Sequence, residues 1–566
     1  MAPSQYRYTS GQDNWNPGAG SAGYAAMPPP YSRLPPSASE RAPLLAKSGA
    51  EGVHFPVRGR TARLVILTTA FLAMIWCPVY FWRFIAVPPD SVPTYSVAII
   101  GAGPAGVAAA QHIRTSPAAR YVRFNITLYE SKHIVGGALA LHHTNESSIF
   151  PKEDPMQDPI TAEDIAGTSL MWDNALFTRD SEKVLKDEVG FIDMGPEQIG
   201  YYKNTMKTAS TTHPYEKMPM MTWLQLLWTY GSSVWQGNKL AQDGNLRKAM
   251  LKVPLVPDVE GIFNSLGVLK AVKQKARDML RDRQISDRYA IDILEPQVQR
   301  ACGQRLDQVT GLTAMMAASR QESANVYQGG NLIERLQRIA HKVSADIRTS
   351  RRVTGIKHVE IADDRFVWLV RHESAGGGIG NSSVEVFDKV IVAALNIGIQ
   401  LETGNQRILD LTKHYNIRPM DIRSSPTQVT FFTSQVKLSP WNHDEDQVLF
   451  LEAWRAAGMR ELALVREIMP NDGDNSGVEY LYRALSRLPV LEELRSHAQI
   501  TWSYQTTIEN AYPLLFPRQH FPSFELPAAN GLWWTSVIQQ AGSSVDLNWL
   551  AGKIVAQDLI REVTKG

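Results

Sequence analysis

Cysteine is nearly absent: 566 residues contain two, Cys77 in an apolar stretch and Cys302 in a predicted helix. A disulfide framework and a cysteine-rich metal site are thereby excluded, and no metal is expected. Cys302 reads as a small buried residue rather than a catalytic thiol. An excess of one charge is also missing, since 58 Lys and Arg face 56 Asp and Glu for a net +2. With no long basic run, nucleic acid is not the expected partner. The apolar fraction of 44% is ordinary for a globular protein, and the length admits more than one domain.

What is there begins with a tail. Residues 1–60 are rich in Pro, Gly, Ser, Ala and Tyr and lack apolar periodicity, so they read as a disordered tail. Within it, Glu40-Arg-Ala-Pro-Leu44-Leu45 is similar to acidic dileucine sorting signals of endosomal, lysosomal and vacuolar membrane proteins. Leu64 to Phe81 then runs uncharged and apolar, with Arg58, Arg60 and Arg63 before it and Arg83 after it. Such a run just spans a bilayer core as a helix. Its depth in the chain and its flanking Trp76, Tyr80 and Trp82 suit a retained signal anchor better than a cleaved signal peptide. The denser positive charge before the span predicts a cytosolic tail and a lumenal C-terminal part, a type II arrangement in the endomembrane system with the vacuole or lysosome as destination. Three glycosylation sequons, at Asn125, Asn145 and Asn381, fit that side. Asn125 opens a strand expected to be buried, which makes it the least accessible; Asn381 follows a Gly-rich turn. Residues 87–93, Val-Pro-Pro-Asp-Ser-Val-Pro, form a short stiff linker.

The most informative stretch follows. Tyr95 to Ile100 is an apolar run that breaks into Gly101-Ala-Gly103-Pro104-Ala105-Gly106 and continues into small helix formers. Strand, tight turn and helix in that order aim free N–H groups and a helix dipole at a pyrophosphate. Gly101 permits the turn, Gly103 the close approach of backbone to phosphate, and Gly106 the packing of helix on strand. A second apolar run, Phe124 to Tyr129, ends in Glu130, placed to accept hydrogen bonds from a ribose hydroxyl. Up to this point NAD and FAD are both open. Ile134-Val-Gly136-Gly137-Ala-Leu139 resembles the second glycine motif of two-dinucleotide-binding-domain flavoproteins, which favours FAD and implies Gly136 and Gly137 beside its phosphates. Those flavoproteins often carry Arg after the glycine pair, where this chain has Ala138.

Further on, Gly167-Thr-Ser169 precedes a helix expected over Ser181 to Val189, and Phe191-Ile-Asp reads as a strand. In two-domain flavin oxidases a Gly-Ser element of this kind lies along the flavin; an ordinary turn with a helix cap is the alternative. Thr222 to Ala318 is mainly helical. Gly329-Gly330-Asn331 starts a helix with Asn331 as its cap, and Arg352-Val353-Thr begins a strand that meets adenine in this fold. Phe387 to Ala394 returns to the parallel sheet. Ser543-Ser544-Val545-Asp546 opens a last helix, Leu547 to Val563, whose N-terminus would stabilise negative charge on reduced flavin.

Three blocks go further than composition: Glu295-Pro-Gln-Val-Gln-Arg300-Ala-Cys-Gly303-Gln, Val326-Tyr-Gln-Gly329-Gly330-Asn331, and Asn530-Gly531-Leu-Trp-Trp534 through Asp546. Together they resemble the prenylcysteine oxidase (prenylcysteine lyase) family from about Tyr95 to the end. The resemblance implies an α/β two-dinucleotide-binding-domain FAD fold, Rossmann-like and of glutathione-reductase type, with a mixed helical and β substrate domain. It further implies oxidation of a prenylcysteine thioether at the carbon beside sulfur, addition of water, and collapse to cysteine and a prenyl aldehyde, with molecular oxygen reduced to peroxide. The cofactor is FAD and the partners are a lipophilic small molecule, oxygen and the membrane. Because the flavin carries the difficult step, no general base is named. The expected organisation is a tail at 1–60, an anchor at 63–86, FAD-binding segments at 94–215, 326–410 and 511–566, and substrate segments at 216–325 and 411–510. Family members carry Asn-Tyr where Ala301-Cys302 stand and an acid near Gln539. The change at Ala301-Cys302 motivates a second reading, a flavin oxidase of another lipophile such as a terpenoid or polyketide; a third, of another class, is a non-catalytic membrane-anchored binding protein.

Overall fold

The computed structural model describes residues 92–140, 174–188, 191–193, 197–203, 206–213, 218–319, 325–327, 332–343, 345–362, 365–374, 382–395, 400–403, 422–438, 448–451, 458–468, 478–526 and 531–565. The tail, the apolar run 64–81, Gly167, Gly330, Asn331 and the sequons at Asn145 and Asn381 lie outside these residues. Among the described residues no helix is long and apolar enough to cross a membrane.

The apolar alternation around the glycine turn produces a five-stranded sheet. Its strands run β18 (Leu532–Trp534), β11 (Lys389–Val392), β1 (Thr94–Ile100), β2 (Arg123–Tyr129) and β7 (Asp346–Arg348), and each adjacent pair is parallel. Parallel strands need covered faces, which explains why β1 ends in four consecutive buried residues. Helix α1 (Pro104–Thr115) follows β1 directly. The last helix, which spans Val545–Lys565, packs on α1 so closely that a Cβ on Gly552 would lie 2.1 Å from the Ala105 carbonyl oxygen. Trp533 and Trp534 on β18 are fully buried and donate their indole N–H groups to Asp558 and to the Ala394 carbonyl. Asn125 on β2, expected to be buried, is exposed, because side chains at the start of the strand alternate between its faces, with Phe124 and Ile126 turned inward and Asn125 outward.

A four-stranded sheet runs β10 (Ser383–Phe387), β9 (Arg365–Ser374), β8 (Arg351–Ala362) and β12 (Gln400–Thr403). The other large element is a seven-stranded sheet in the order β17 (Ile500–Pro513), β13 (Ser424–Ser434), β16 (Glu479–Ser486), β15 (Met459–Ile468), β14 (Val448–Leu451), β4 (Glu197–Lys203) and β5 (Met206–His213). Strands β4 and β5 thus join residues 197–213 to a sheet otherwise formed by residues 424–513. A short pair, β3 (Phe191–Asp193) with β6 (Asn325–Tyr327), is antiparallel.

Helix α2 occupies Ala175–Leu185 rather than 181–189. Leu176 and Phe177, the residues that begin it, are buried, and both of their backbone N–H groups are satisfied by the Asp546 carboxylate. Lys186, with φ 59°, ends it in the left-handed conformation. Between 220 and 319 the chain is helical, including α3 (Met220–Tyr230), α4 (Ser233–Gly244), α5 (Glu295–Cys302) and α6 (Gly311–Ser319); α7 (Leu332–Lys342) follows, and the last helix becomes α8.

Candidate dinucleotide site

The glycine turn is built by close approach. Gly101 has φ +106°, and a Cβ on Gly106 would lie 1.9 Å from the Gly101 carbonyl oxygen, so the turn and the first turn of α1 close only on glycine. The second glycine pair folds back onto the first. The Gly136 N–H donates to the Ala102 carbonyl at 3.0 Å, and a Cβ on Gly137 would stand 2.8 Å from the Gly103 Cα. Bare backbone therefore faces bare backbone at the N-terminus of α1, where Pro104 occupies the first helical position and removes no needed donor.

Glu130 is buried, and its carboxylate ties these pieces together. Oε2 accepts the Ala102 N–H at 2.9 Å; Oε1 accepts the Lys132 N–H at 3.0 Å and the Ser131 hydroxyl at 3.3 Å. A carboxylate offers about four lone-pair sites, so Oε2 keeps one for a ribose hydroxyl. The backbone carbonyl of Glu130 accepts the Arg351 N–H at 2.8 Å, which brings the start of β8, and the buried Val353 two residues on, to the same edge.

Sequence reasoning missed Lys132. Its ammonium donates to the Gly137 carbonyl at 2.7 Å and to the Ala140 carbonyl, so a cation braces the second glycine turn next to the position where Ala138 replaces an Arg. Burial lowers its pKa from the ordinary lysine value, while the charge of Glu130 opposes that shift. The signal was a basic residue two places after the acid. Gly552 and Asp546 were missed as well. Gly552 lets α8 touch α1 at Ala105, and Asp546 clamps α2 to the start of α8.

Of the residues expected at the ring end, Ser544 caps α8, with its hydroxyl accepting the Leu547 N–H at 3.1 Å, and Ser543 and Val545 flank it. Gln539, on the short helical turn Thr535–Gln540 before α8, donates to Asn548 of α8 at 2.6 Å. Helix α7, just after Gly330 and Asn331, reaches the second glycine turn, because a Cβ on Gly136 would meet the Ile333 side chain at 3.4 Å. Gly101, Gly103, Pro104, Ala105, Gly106, Glu130, Gly136, Gly137 and the start of β8 thus form one cluster, which α7 and α8 approach from the helical side.

The substrate-side sequence block has a different character. Cys302 ends α5 and is buried; burial pushes its thiol up to about 12, which rules it out as a nucleophile near neutral pH. Gly303, at φ +69°, leaves room for the Arg460 guanidinium, which donates to Thr427 at 3.0 Å. Arg300, also on α5, pairs with Glu461 of β15, which in addition accepts Arg483 at 2.7 Å. Ala301 is exposed.

A parallel sheet, a doubled glycine turn and a buried carboxylate at the end of the second strand define an α/β dinucleotide-binding protein. The comparisons agree, since a family model described as an NAD(P)-binding Rossmann-like domain matches residues 99–152. The model for prenylcysteine lyase matches residues 215–565, and the chain belongs to that family of oxidoreductases. Among solved structures, cyclohexylamine oxidase from Brevibacterium oxydans is similar at 13% identity and a TM-score of 0.50, over 83% of this chain and 100% of that one. A redesigned putrescine oxidase gives 12% and 0.49 over 83% and 99%, and an oxidoreductase from Methanosarcina mazei 12% and 0.45 over 83% and 100%. At 13% identity the likeness to cyclohexylamine oxidase is one of fold alone. No curated protein matches the chain by sequence.

Proposed function

We propose that this chain is a membrane-tethered, FAD-dependent prenylcysteine oxidase. Prenylcysteine, oxygen and water would yield cysteine, a prenyl aldehyde and hydrogen peroxide. The observation that carries the reading is the family match over residues 215–565 on a chain whose N-terminal glycine cradle suits a dinucleotide. FAD fits that cradle. A pyrophosphate would lie against the bare backbone of Gly103, Gly136 and Gly137 at the N-terminus of α1, the ribose hydroxyl would take the free lone pair of Glu130 Oε2, and adenine would meet the backbone at Val353. Gly167, Gly330 and Asn331 together with Ser543, Ser544 and Val545 would hold the ring end, in a two-dinucleotide-binding-domain arrangement of glutathione-reductase type. FAD, when bound, supplies the two-electron acceptor for oxidation at the carbon beside sulfur.

The chain's own residues do the rest by placement. Lys132 holds the second glycine turn in register, and α8 directs its positive end toward any anion that gathers beside Ser544. Cys302 takes no part, since its thiol stays protonated. The apolar run 64–81 would tether the protein as a type II membrane protein with its catalytic part lumenal, in the vacuole or lysosome.

Flavin extraction from purified protein and a peroxide assay test the reading. Stoichiometric FAD, with peroxide and free cysteine released from farnesylcysteine but no peroxide from cysteine, is the expected result. Peroxide from a terpenoid lipophile but not from farnesylcysteine would shift the substrate to the second reading. If no flavin copurifies or can be reconstituted, both enzymatic readings fail.

A further inference from the structure

Helix α3 has an apolar face too many. Its inner residues, Leu226 and Tyr230, are buried, and Trp223 and Leu227 pack against the core. At 3.6 residues per turn, Met220, Met221, Leu224 and Trp228 share an arc of about 100° on the opposite side. Those four are 77%, 69%, 46% and 94% exposed, and Trp235 of α4 adds another 61% exposed ring stacked edge-on against Trp223. A surface helix normally turns polar residues to water there. Yet Met218 to Asn238 contains no Asp, Glu, Lys or Arg.

The geometry points to a membrane-docking face: α3 and the start of α4 seat their exposed Met, Leu and Trp side chains in the headgroup and upper acyl region of a bilayer. Three observations favour lipid over a second copy of this chain. Protein interfaces draw on charged as well as neutral polar groups in their rim, whereas here the helix and its flanks offer only neutral ones, such as Gln225 and Thr229, over 21 residues. The nearby cation, Arg288, lies over the Tyr230 ring at 5.5 Å and is 69% exposed; its 3.7 Å pairing with Asp292 is a surface one that a headgroup phosphate could replace at the end of the face. Finally, the uncharged apolar run 64–81 precedes β1 by only 12 residues, which fully extended reach on the order of 40 Å, so a helix spanning there would hold the folded part within that distance of the bilayer. The docking rests on these exposed side chains alone. Its use, to collect a prenylated substrate from lipid rather than from water, rests on the oxidase reading.

The test uses the full chain in vesicles of phosphatidylcholine and phosphatidylserine. In a Cys77→Ser background, Trp228→Cys is labelled with an environment-sensitive fluorophore; Cys302 is buried and stays unlabelled. The expected result is blue-shifted emission that is quenched by lipids spin-labelled high on the acyl chain, while the same label at Glu492→Cys, a position 84% exposed on another helix, reports water. Identical emission at the two positions would overturn the proposal, as would a shift that tracks protein concentration at fixed lipid, which would mark self-association. A Leu224→Glu, Trp228→Glu variant changes only exposed positions, and it is expected to raise KM for vesicle-dissolved farnesylcysteine about tenfold with kcat on a short, water-soluble S-alkyl cysteine unchanged. An unchanged KM would remove the role in substrate uptake. Docking by fluorescence with no turnover of any thioether would sink the oxidase reading and leave the docking face standing.

Discussion

In the five-stranded sheet much of the work is done by backbone: Gly101, Gly106 and Gly137 bring main-chain atoms together where any side chain would collide. In the seven-stranded sheet it is done by side chains. Glu461 on β15 is buried between Arg300 of α5 and Arg483 of β16, three charges from three segments holding the sheet to the helical region. The two regions should therefore fail in different ways. A backbone site tolerates no added atom but is indifferent to charge, whereas a charge cluster tolerates changes of shape but no unpaired member.

The largest expected effect breaks the first region. Gly106→Ala places a methyl 1.9 Å from the Gly101 carbonyl, which nothing flexible can relieve. A loss of stability of about 5 kcal/mol, in the exceptional range for one substitution, is expected together with loss of bound flavin. Denaturant unfolding and the flavin-to-protein absorbance ratio measure the two. In the second region, Glu461→Ala strands two guanidinium groups in the interior and is expected to cost about 3–5 kcal/mol. Replacing Arg300 and Glu461 together by Met and Leu should cost less than the sum of the single changes, because it leaves one stranded guanidinium, that of Arg483, instead of two. Protein that survives either change should keep its flavin. Flavin loss in Glu461→Ala equal to that in Gly106→Ala would erase the distinction between the regions.

The same difference explains what could be read from the sequence. Glycines and the acid that closes the second strand sit within 37 residues, and each has a local reason to be where it is, so turn, strand and helix were legible at Gly101 to Gly137. Lys132 lay in plain view, but its function depends on where the Ala140 carbonyl turns, which spacing does not fix. Asp546 was visible as the start of α8, yet its partners are Leu176 and Phe177, some 370 positions earlier. For that reason α2 was expected six residues late. Strands β4 and β5 alternate weakly, and β4 pairs with β14 about 250 residues away, so their sheet was beyond local pattern. The resemblance at Arg300 marked a family without revealing that the side chain meets Glu461.

Acid should separate the regions by a smaller margin. Although burial alone would raise it, the Asp180 carboxyl lies below the ordinary range because Lys553 of α8 and then Arg179 stabilise its charge. A depressed folded value means that its contribution is complete above the ordinary carboxylate range near pH 4 and fades as pH falls through the lower folded value. Lys553→Met should therefore lower stability by about 2 kcal/mol near neutral pH and move the onset of acid unfolding upward. Circular dichroism from pH 6 down to pH 3 follows the onset. An unchanged onset would mean that Lys553 does not hold this carboxylate.

The smallest effect concerns a further place, in addition to Glu130 and Lys132, where a side chain does backbone work in the nucleotide-binding region. Both oxygens of Asp546 accept N–H groups of the first turn of α2, from Leu176 at 3.1 Å and Phe177 at 3.0 Å, so one carboxylate caps a helix 370 residues away while sitting in the first turn of its own. Asp546→Ala removes both acceptors and should cost about 1 kcal/mol, the usual worth of a cap; Asp546→Asn keeps one acceptor and should cost less. Hydrogen exchange is the sharper measurement, because the change should expose the amides of 176 and 177 selectively. If exchange instead rises throughout α8 while 176 and 177 stay protected, Asp546 serves its own helix, and the start of α2 is held without it.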